Sequence, residues 1–157
     1  MKKFTFRLET LLRLRKQQED DRKVEFAAAQ AAVRDAKQEL SRLLDERVRL
    51  ERQWSERLKG TAATGESLRV FEDFRGHLFQ CTEHAQNELT AARERETQAR
   101  QALALAMRKV TTLENLRTRH ELRHRDKQQK LEQSNLDESA TMRFSRTARD
   151  NQQEVHS

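Results

Sequence analysis

The sequence has no proline, no tyrosine and only three glycines in 157 residues. Because proline and glycine most often interrupt regular structure, their scarcity allows very long helices. Hydrophobic residues make up 34% of the chain and charged residues 37%, which excludes the core of an ordinary globular domain. The residues that dominate instead are strong helix formers, namely Ala, Leu, Glu, Arg, Lys and Gln, so the composition favours helix over disorder.

Two further scarcities exclude classes of function. A single cysteine, Cys81, excludes an internal disulfide and favours a reducing compartment. The longest wholly apolar run, from Ala102 to Met107, is far shorter than the roughly 18 residues of a membrane-spanning helix. The three glycines do not have the spacing of a phosphate-binding loop, so nucleotide binding of that kind is not expected.

Apolar residues recur at alternating steps of three and four in two stretches, 26–54 and 85–113. Each stretch has one charged exception, Arg47 in the first and Glu96 in the second. This spacing, kept over about four heptads, is typical of a coiled coil. The segment Gly60 to Ser67 lies between them and has the composition of a loop. A short loop between long helices predicts antiparallel neighbours.

The expected fold class is therefore all-α, a long antiparallel two-helix coiled coil or hairpin. We expect a hairpin over 1–133, with helices over 7–58 and 67–133, a loop over 59–66, and Ser67 as a helix cap. The polar segment 134–157 is expected to be a frayed tail. A register in which facing residue numbers sum to 132 places Trp54 opposite Leu78 and mostly pairs large residues with small ones. A slip of one heptad, to a sum of 125, keeps much of this pattern, but we expect the sum of 132.

The segment from His120 to His124 matches the H-E-x-x-H pattern of zinc peptidases. A catalytic zinc also needs a third ligand and a walled cleft, which a two-helix rod does not offer. We therefore expect a solvated helix face on which Glu121 pairs with Arg125, and no catalytic residue, metal or cofactor. Cys81 is expected to be a small seam residue rather than a nucleophile.

Positive charge is concentrated in two segments that the hairpin brings together at its open end. Residues 1–16 carry six basic side chains and one acidic one, and residues 117–130 carry six and two. Such an end suits an acidic partner, which is a protein, a nucleic acid or a membrane surface. Few aromatic residues lie among these charges, which argues against binding of single-stranded nucleic acid.

A second concentration, of apolar residues, flanks the predicted loop. Either the core is thick at the turn, or part of this cluster is an exposed docking patch. The apolar residues of this cluster are Trp54, Leu68, Val70, Phe71, Phe74, Leu78 and Phe79.

Three sequence patterns, in this order and spacing, resemble the FliJ family of small coiled-coil proteins of the bacterial flagellar export apparatus. They are Phe4-x-Phe6-x-Leu8-x-x-Leu11-Leu12-x-Leu14-Arg15, Lys109-x-x-x-Leu113-Glu114-x-Leu116 and Asp137-Glu138-x-Ala140-x-x-Arg143. The resemblance implies a fold similar to the central stalk subunit of rotary ATPases and a non-enzymatic role in flagellum biogenesis and motility. It also implies a cytoplasmic location, peripheral to the membrane at the export apparatus.

The resemblance further implies a stalk-like coupling protein that escorts export chaperones. Its implied partners are the hexameric export ATPase FliI, the export gate FlhA and export chaperones, with the ATPase regulator FliH as an additional candidate. No nucleic acid or small-molecule substrate is expected. The basic open end would bind the ATPase ring through Arg7, Arg13, Arg15, Arg119, Arg123 and Arg125. A patch toward the loop end of the hairpin, formed by residues of both helices, would bind the export gate. Its residues are Leu43, Leu50, Phe71, Phe74 and Leu78.

The chain departs from the family at Glu46 and Leu50, where aromatic residues are common. Three other functions stay open from the sequence. They are the equivalent stalk protein of a virulence-type secretion system, a basic nucleic-acid-binding coiled coil, and a zinc peptidase acting through His120 and His124.

Overall fold

The computed structural model describes residues 2–60 and 64–156, and these residues form two α-helices. Helix α1 spans Glu9–Lys59 and helix α2 spans Gly65–Val155. The two helices pack against each other as an all-α hairpin, which confirms the predicted fold class. Three of the four helix ends lie within two residues of their predicted positions. The middle of the predicted loop, residues 61–63, lies outside the described residues.

Thr64, rather than the predicted Ser67, caps the start of α2. The Thr64 hydroxyl accepts a hydrogen bond from the Ser67 backbone N–H at 3.2 Å. In return, the Ser67 hydroxyl accepts one from the Thr64 backbone N–H at 3.3 Å. This reciprocal arrangement is a capping box, in which two backbone donors that the helix leaves unpaired are both satisfied. Ser67 therefore belongs to the first turn of α2 and not to the loop.

The carboxyl-terminal part of α2 differs most from the prediction. The helix was expected to end near Gln133 with a frayed tail beyond it, but it continues to Val155. Residues 131–156 are all exposed, so the seam pattern does stop where it was predicted to stop. The helix continues because no glycine or proline follows Gly76, and because local bonds such as Gln133 to Asp137, at 3.2 Å, support it.

The contacts divide the chain into two units, each with segments of both helices. Unit 1 comprises residues 1–14 and 109–157, and unit 2 comprises residues 15–108. The core of unit 1 is built on Phe6, Leu12 and Val110, with four further residues packed around them. Leu12 is the most deeply buried residue of this core, at 1% exposure. The four residues packed around the core are Phe4, Leu8, Leu113 and Leu116.

Unit 2 has two small core clusters along its seam. One is centred on Val33, Leu89 and Ala92, and the other on Leu43, Leu78 and Ala85. Between Leu12 and Val33 no residue of α1 is buried, so the seam is weak over this stretch. The boundary between the two units falls within this weak stretch.

The register of unit 2 is the alternative one, with facing numbers that sum to about 125. Trp54 stacks on Phe71, with ring centroids 4.5 Å apart and an interplanar angle of 12°, instead of facing Leu78. The Arg100 guanidinium lies 5.7 Å from the centre of the Phe26 ring. The preferred sum of 132 was therefore wrong. A stacked pair of large aromatic rings buries more apolar surface than the predicted contact between Trp54 and an aliphatic side chain.

The aromatic stack makes Phe71 a structural residue. We predict that Phe71→Ala lowers the free energy of unfolding by about 3 kcal/mol, because a buried ring is lost and a cavity remains beside Trp54. Denaturant unfolding followed by Trp54 fluorescence measures this loss. The control is Phe79→Ala, since Phe79 is 62% exposed and its removal should change stability by less than about 0.5 kcal/mol. Equal stability of the two variants would contradict the observed register.

Candidate binding surfaces

Unit 1 carries the first candidate surface, which we call the basic surface and define by Arg7, Arg13, Arg119 and Arg123. All four side chains are exposed, and the described residues give none of them an ion-pair partner. Two neighbouring arginines are partly neutralised: Arg117 lies 3.6 Å from Glu9 and Arg125 lies 3.6 Å from Glu121. Unpaired cations attract an acidic partner over the range of a Debye length, about 8 Å at physiological salt.

Lysines extend the basic surface along α2, and the sequence reasoning did not single them out as site residues. Residues 119, 123, 127 and 130 follow one another at steps of four, four and three, so they lie on one face of the helix. Lys127 and Lys130 are exposed and, within the described residues, have no ion-pair partner. The spacing of three and four residues that continues from Arg119 and Arg123 is the sequence signal that identifies these two lysines. Arg15, in contrast, belongs to unit 2, where it is half-buried and donates a hydrogen bond to Gln18 at 3.0 Å.

The two histidines of the H-E-x-x-H segment contact the amino-terminal segment and do not form a solvated face. The ring of His120 lies 5.8 Å from that of Phe6, edge-on, and the ring of His124 lies 5.6 Å from that of Phe4. The Nε2 atom of His124 lies 3.1 Å from the backbone oxygen of Lys2. Because a carbonyl oxygen only accepts, His124 must donate through Nε2, which is then not a free metal ligand. The predicted Glu121–Arg125 pair is confirmed, at 3.6 Å.

Unit 2 carries the second candidate surface, which we call the tip groove. It is an open groove of about 680 Å³ beside the Trp54–Phe71 stack. Its apolar walls include Leu50, Val70 and Phe74. Val70 is 69% exposed and Phe74 is 42% exposed, so both present apolar surface to a partner. Charged rim residues are Arg57, Glu66, Arg69 and Asp73.

The five predicted gate-binding residues separate into two groups. Leu43, Phe71 and Leu78 are buried in the seam at 5%, 9% and 4% exposure. They support the surface without offering a large contact area. Leu50 and Phe74 line the tip groove and keep part of their surface accessible. The expectation that Phe71 is an exposed contact residue was wrong, because the register places it against Trp54.

Cys81 lies in a second apolar groove of unit 2, of about 700 Å³. It packs against the Leu43 cluster, which confirms it as a seam residue, and its Sγ lies 3.6 Å from Nε2 of His77. On the rim, Arg42 donates two hydrogen bonds to Glu39, at 2.7 and 3.1 Å. These bonds lower the pKa of Glu39 and help to raise that of Arg42.

Residues 2–60 and 64–156 contain no group of three His, Cys, Asp or Glu side chains arranged to hold a metal ion. We predict that the intact protein binds zinc with no defined stoichiometry, because His124 Nε2 is already used in its bond to Lys2. Metal analysis after incubation with zinc and desalting measures the content. One zinc per chain that is lost in His120→Ala/His124→Ala would contradict this prediction.

Comparison with known proteins supplies the family. A family model described as flagellar FliJ protein matches residues 3–149, nearly the whole chain. No curated protein and no solved structure matches the chain significantly. Within the residues that the structure describes, neither helix has a stretch apolar enough to cross a membrane. The match includes both segments of the basic surface, the tip groove and the hairpin connection. The chain therefore belongs to the FliJ family and is a protein related to flagellar export.

Proposed function

We propose that this protein is a stalk-like coupling component of flagellar export that joins the export ATPase to the export gate and escorts export chaperones. The observation that carries the proposal is the concentration of exposed cations on unit 1, in a chain of the FliJ family. Two surfaces of different chemistry suit two different partners.

The basic surface is proposed to bind the hexameric ring of the export ATPase FliI. Its cations lie on the non-helical start of the chain, on α1 and on α2, so they address an acidic surface from several elements at once. Electrostatic complementarity of this kind mainly raises the association rate and selects the partner. ATP hydrolysis stays with the ATPase, and this chain would act on the ring by asymmetric contact. The regulator FliH is proposed as a further partner of the same complex.

The tip groove is proposed to bind the export gate FlhA. An apolar partner side chain that enters the groove would pack on Leu50, Val70 and Phe74 and would be fixed by the charged rim. Aromatic residues in such positions supply most of the binding energy of many interfaces. Binding of the gate and of the ATPase would hold the protein at the cytoplasmic side of the membrane, where it would also meet the export chaperones.

We predict that reversing the four arginines of the basic surface, by Arg7→Glu, Arg13→Glu, Arg119→Glu and Arg123→Glu, abolishes ATPase association. Single reversals should have mild effects, because one exposed charge contributes at most about 1 kcal/mol. Helicity should be unchanged, since all four side chains are exposed. Binding and ATPase stimulation at several salt concentrations are the measurements.

The matched control changes the net charge of the protein by the same amount, but its substitutions lie on unit 2. It carries Arg34→Glu, Arg49→Glu, Arg52→Glu and Arg95→Glu, four exposed arginines outside the basic surface. This control should bind the ATPase almost as well as the unaltered protein. Equal loss of binding in both variants would show that net charge, and not the basic surface, attracts the ring.

We predict that Phe74→Ala weakens gate binding at least about tenfold, as expected for an aromatic residue at the centre of an interface. Thermal stability and ATPase binding should change little, because Phe74 is exposed and lies outside unit 1. Phe79→Ala is the control, since residues five apart on a helix point in directions about 140° apart. Gate binding that tolerates Phe74→Ala in the folded protein would remove this role from the tip groove.

A further inference from the structure

Residues 2–8 form a non-helical strap in unit 1 before α1 begins. Burial alternates along it: Phe4 and Leu8 are half-buried, Phe6 is buried at 8% exposure, and Thr5 and Arg7 are exposed. Over residues 4–6 this alternation is the pattern of an extended segment with one face packed down. The chain then turns at Arg7 and Leu8, where the Glu9 backbone N–H donates a hydrogen bond to the Phe6 carbonyl at 3.1 Å. The strap therefore presents Phe4, Phe6 and Leu8 to the rest of the unit and turns Arg7 to solvent.

The surface under the strap contains the two histidines that the proposed function leaves without a role. His124 contacts the Phe4 ring and donates a hydrogen bond to the Lys2 carbonyl, and His120 contacts the Phe6 ring. Leu8 and Leu116 both pack against the core cluster built on Phe6. The two phenylalanines of the strap thus lie over successive turns of α2, in the antiparallel direction.

The spacing of the two sequence patterns explains why they fit. Residues 116, 120 and 124 are four apart on a helix, which gives a rise of about 6 Å per step. Residues 4 and 6 are two apart on an extended chain, which gives about 6.6 Å, whereas residues 7 and 8 form a turn and lie outside this spacing. Phe4 and Phe6 can therefore follow His124 and His120 with one side chain per turn of α2. A histidine suits this position because it supplies a flat ring for the phenylalanine and an N–H donor for the strap backbone.

Charge opposes this docking. The strap carries Lys2, Lys3 and Arg7, and α2 carries a row of cations beside the histidines. Like charges held close together repel, so the strap should stay in place only if packing and the His124 hydrogen bond exceed that repulsion. An acidic partner lowers the repulsion, and by linkage it would then strengthen the docked state. The cations of that row are Arg119, Arg123 and Lys127, none of which has an ion-pair partner within the described residues.

We propose that His120 and His124 form a latch that docks the amino-terminal strap on α2 and thereby completes the basic surface. The two histidines are positioning residues: they hold Arg7 beside Arg119 and Arg123 without contacting the partner themselves. The H-E-x-x-H segment is, on this view, a binding site for the chain's own amino terminus and not a metal site. The consequence for ATPase affinity rests on the proposed function, whereas the docking itself does not.

The test of docking measures a distance and needs no partner. Spin labels are placed at Lys3→Cys and Lys127→Cys, both exposed positions, in a Cys81→Ser background. The latched strap should give one narrow distance distribution. His120→Ala/His124→Ala should broaden it, while circular dichroism shows unchanged helix content. The conservative variant His120→Phe/His124→Gln, which keeps a ring and an N–H donor, should restore the narrow distribution.

Three results would overturn the latch. They are a broad distribution in the histidine-containing protein, a narrow one in the double alanine variant, and a failure of the conservative variant to restore order. Loss of a ring alone would reduce stability in any buried site, but recovery by a ring and a donor requires these specific contacts. Released straps should also be cleaved faster by trypsin at Lys3 and Arg7, which gives an independent readout.

The second arm measures binding of an acidic probe, polyglutamate, and of the export ATPase. The double alanine variant should bind both about tenfold more weakly, a factor within the usual range of coupling between sites. Polyglutamate should also narrow the label distribution of that variant, because it neutralises the opposing cations. If the distances behave as expected but no variant binds the ATPase, the proposed function fails and the latch stands. If binding of polyglutamate is unaffected by strap release, the strap does not complete the basic surface.

Discussion

The narrow seam between two helices limits how much apolar surface this chain can hide. In a two-helix coiled coil each helix turns only one side toward its neighbour, so roughly two residues per heptad are covered. Here the buried apolar residues other than Phe71 form three small clusters, and Leu12 alone is fully buried among the described side chains. Large residues such as Phe74 and Phe144 stay exposed as a consequence. In such a molecule the exposed outer surfaces are the candidate binding sites.

Outside the seam, the helices are supported by local interactions. Arg42 bridges Glu39 and Glu46, and Arg47 approaches Glu51, each pair three or four residues apart. Such pairs are individually weak, but they are repeated along the exposed faces. A local hydrogen bond from Gln133 to Asp137 likewise supports the exposed part of α2 after residue 130. Exposed arginines of unit 2 such as Arg34, Arg49 and Arg52 also have no ion-pair partner within the described residues, so the basic surface is distinguished by the concentration of its cations and not by their lack of partners.

The histidines of α2 show how tertiary contacts decide the meaning of a short motif. An H-E-x-x-H sequence places two imidazoles on one helix face, and this geometry suits a metal or any other ligand with matching spacing. In this chain the two imidazole rings contact the strap, through Phe4 at His124 and Phe6 at His120. The carboxylate of the motif, Glu121, forms an ion pair with Arg125. The same residues therefore have a packing role that the motif alone does not suggest.

The sequence by itself determined the two helices except for the end of α2, the antiparallel hairpin and the clustering of charge. These follow from local composition and from a period that repeats along the chain, and both can be seen without the partner helix. The register could not be obtained in this way, because a shift of seven residues returns every seam position to a seam position. Only the tertiary structure decided that Trp54 meets Phe71, and hence that Phe71 is core while Phe74 is accessible. The strap, likewise, is defined by contacts between residues more than one hundred positions apart, which no local pattern encodes.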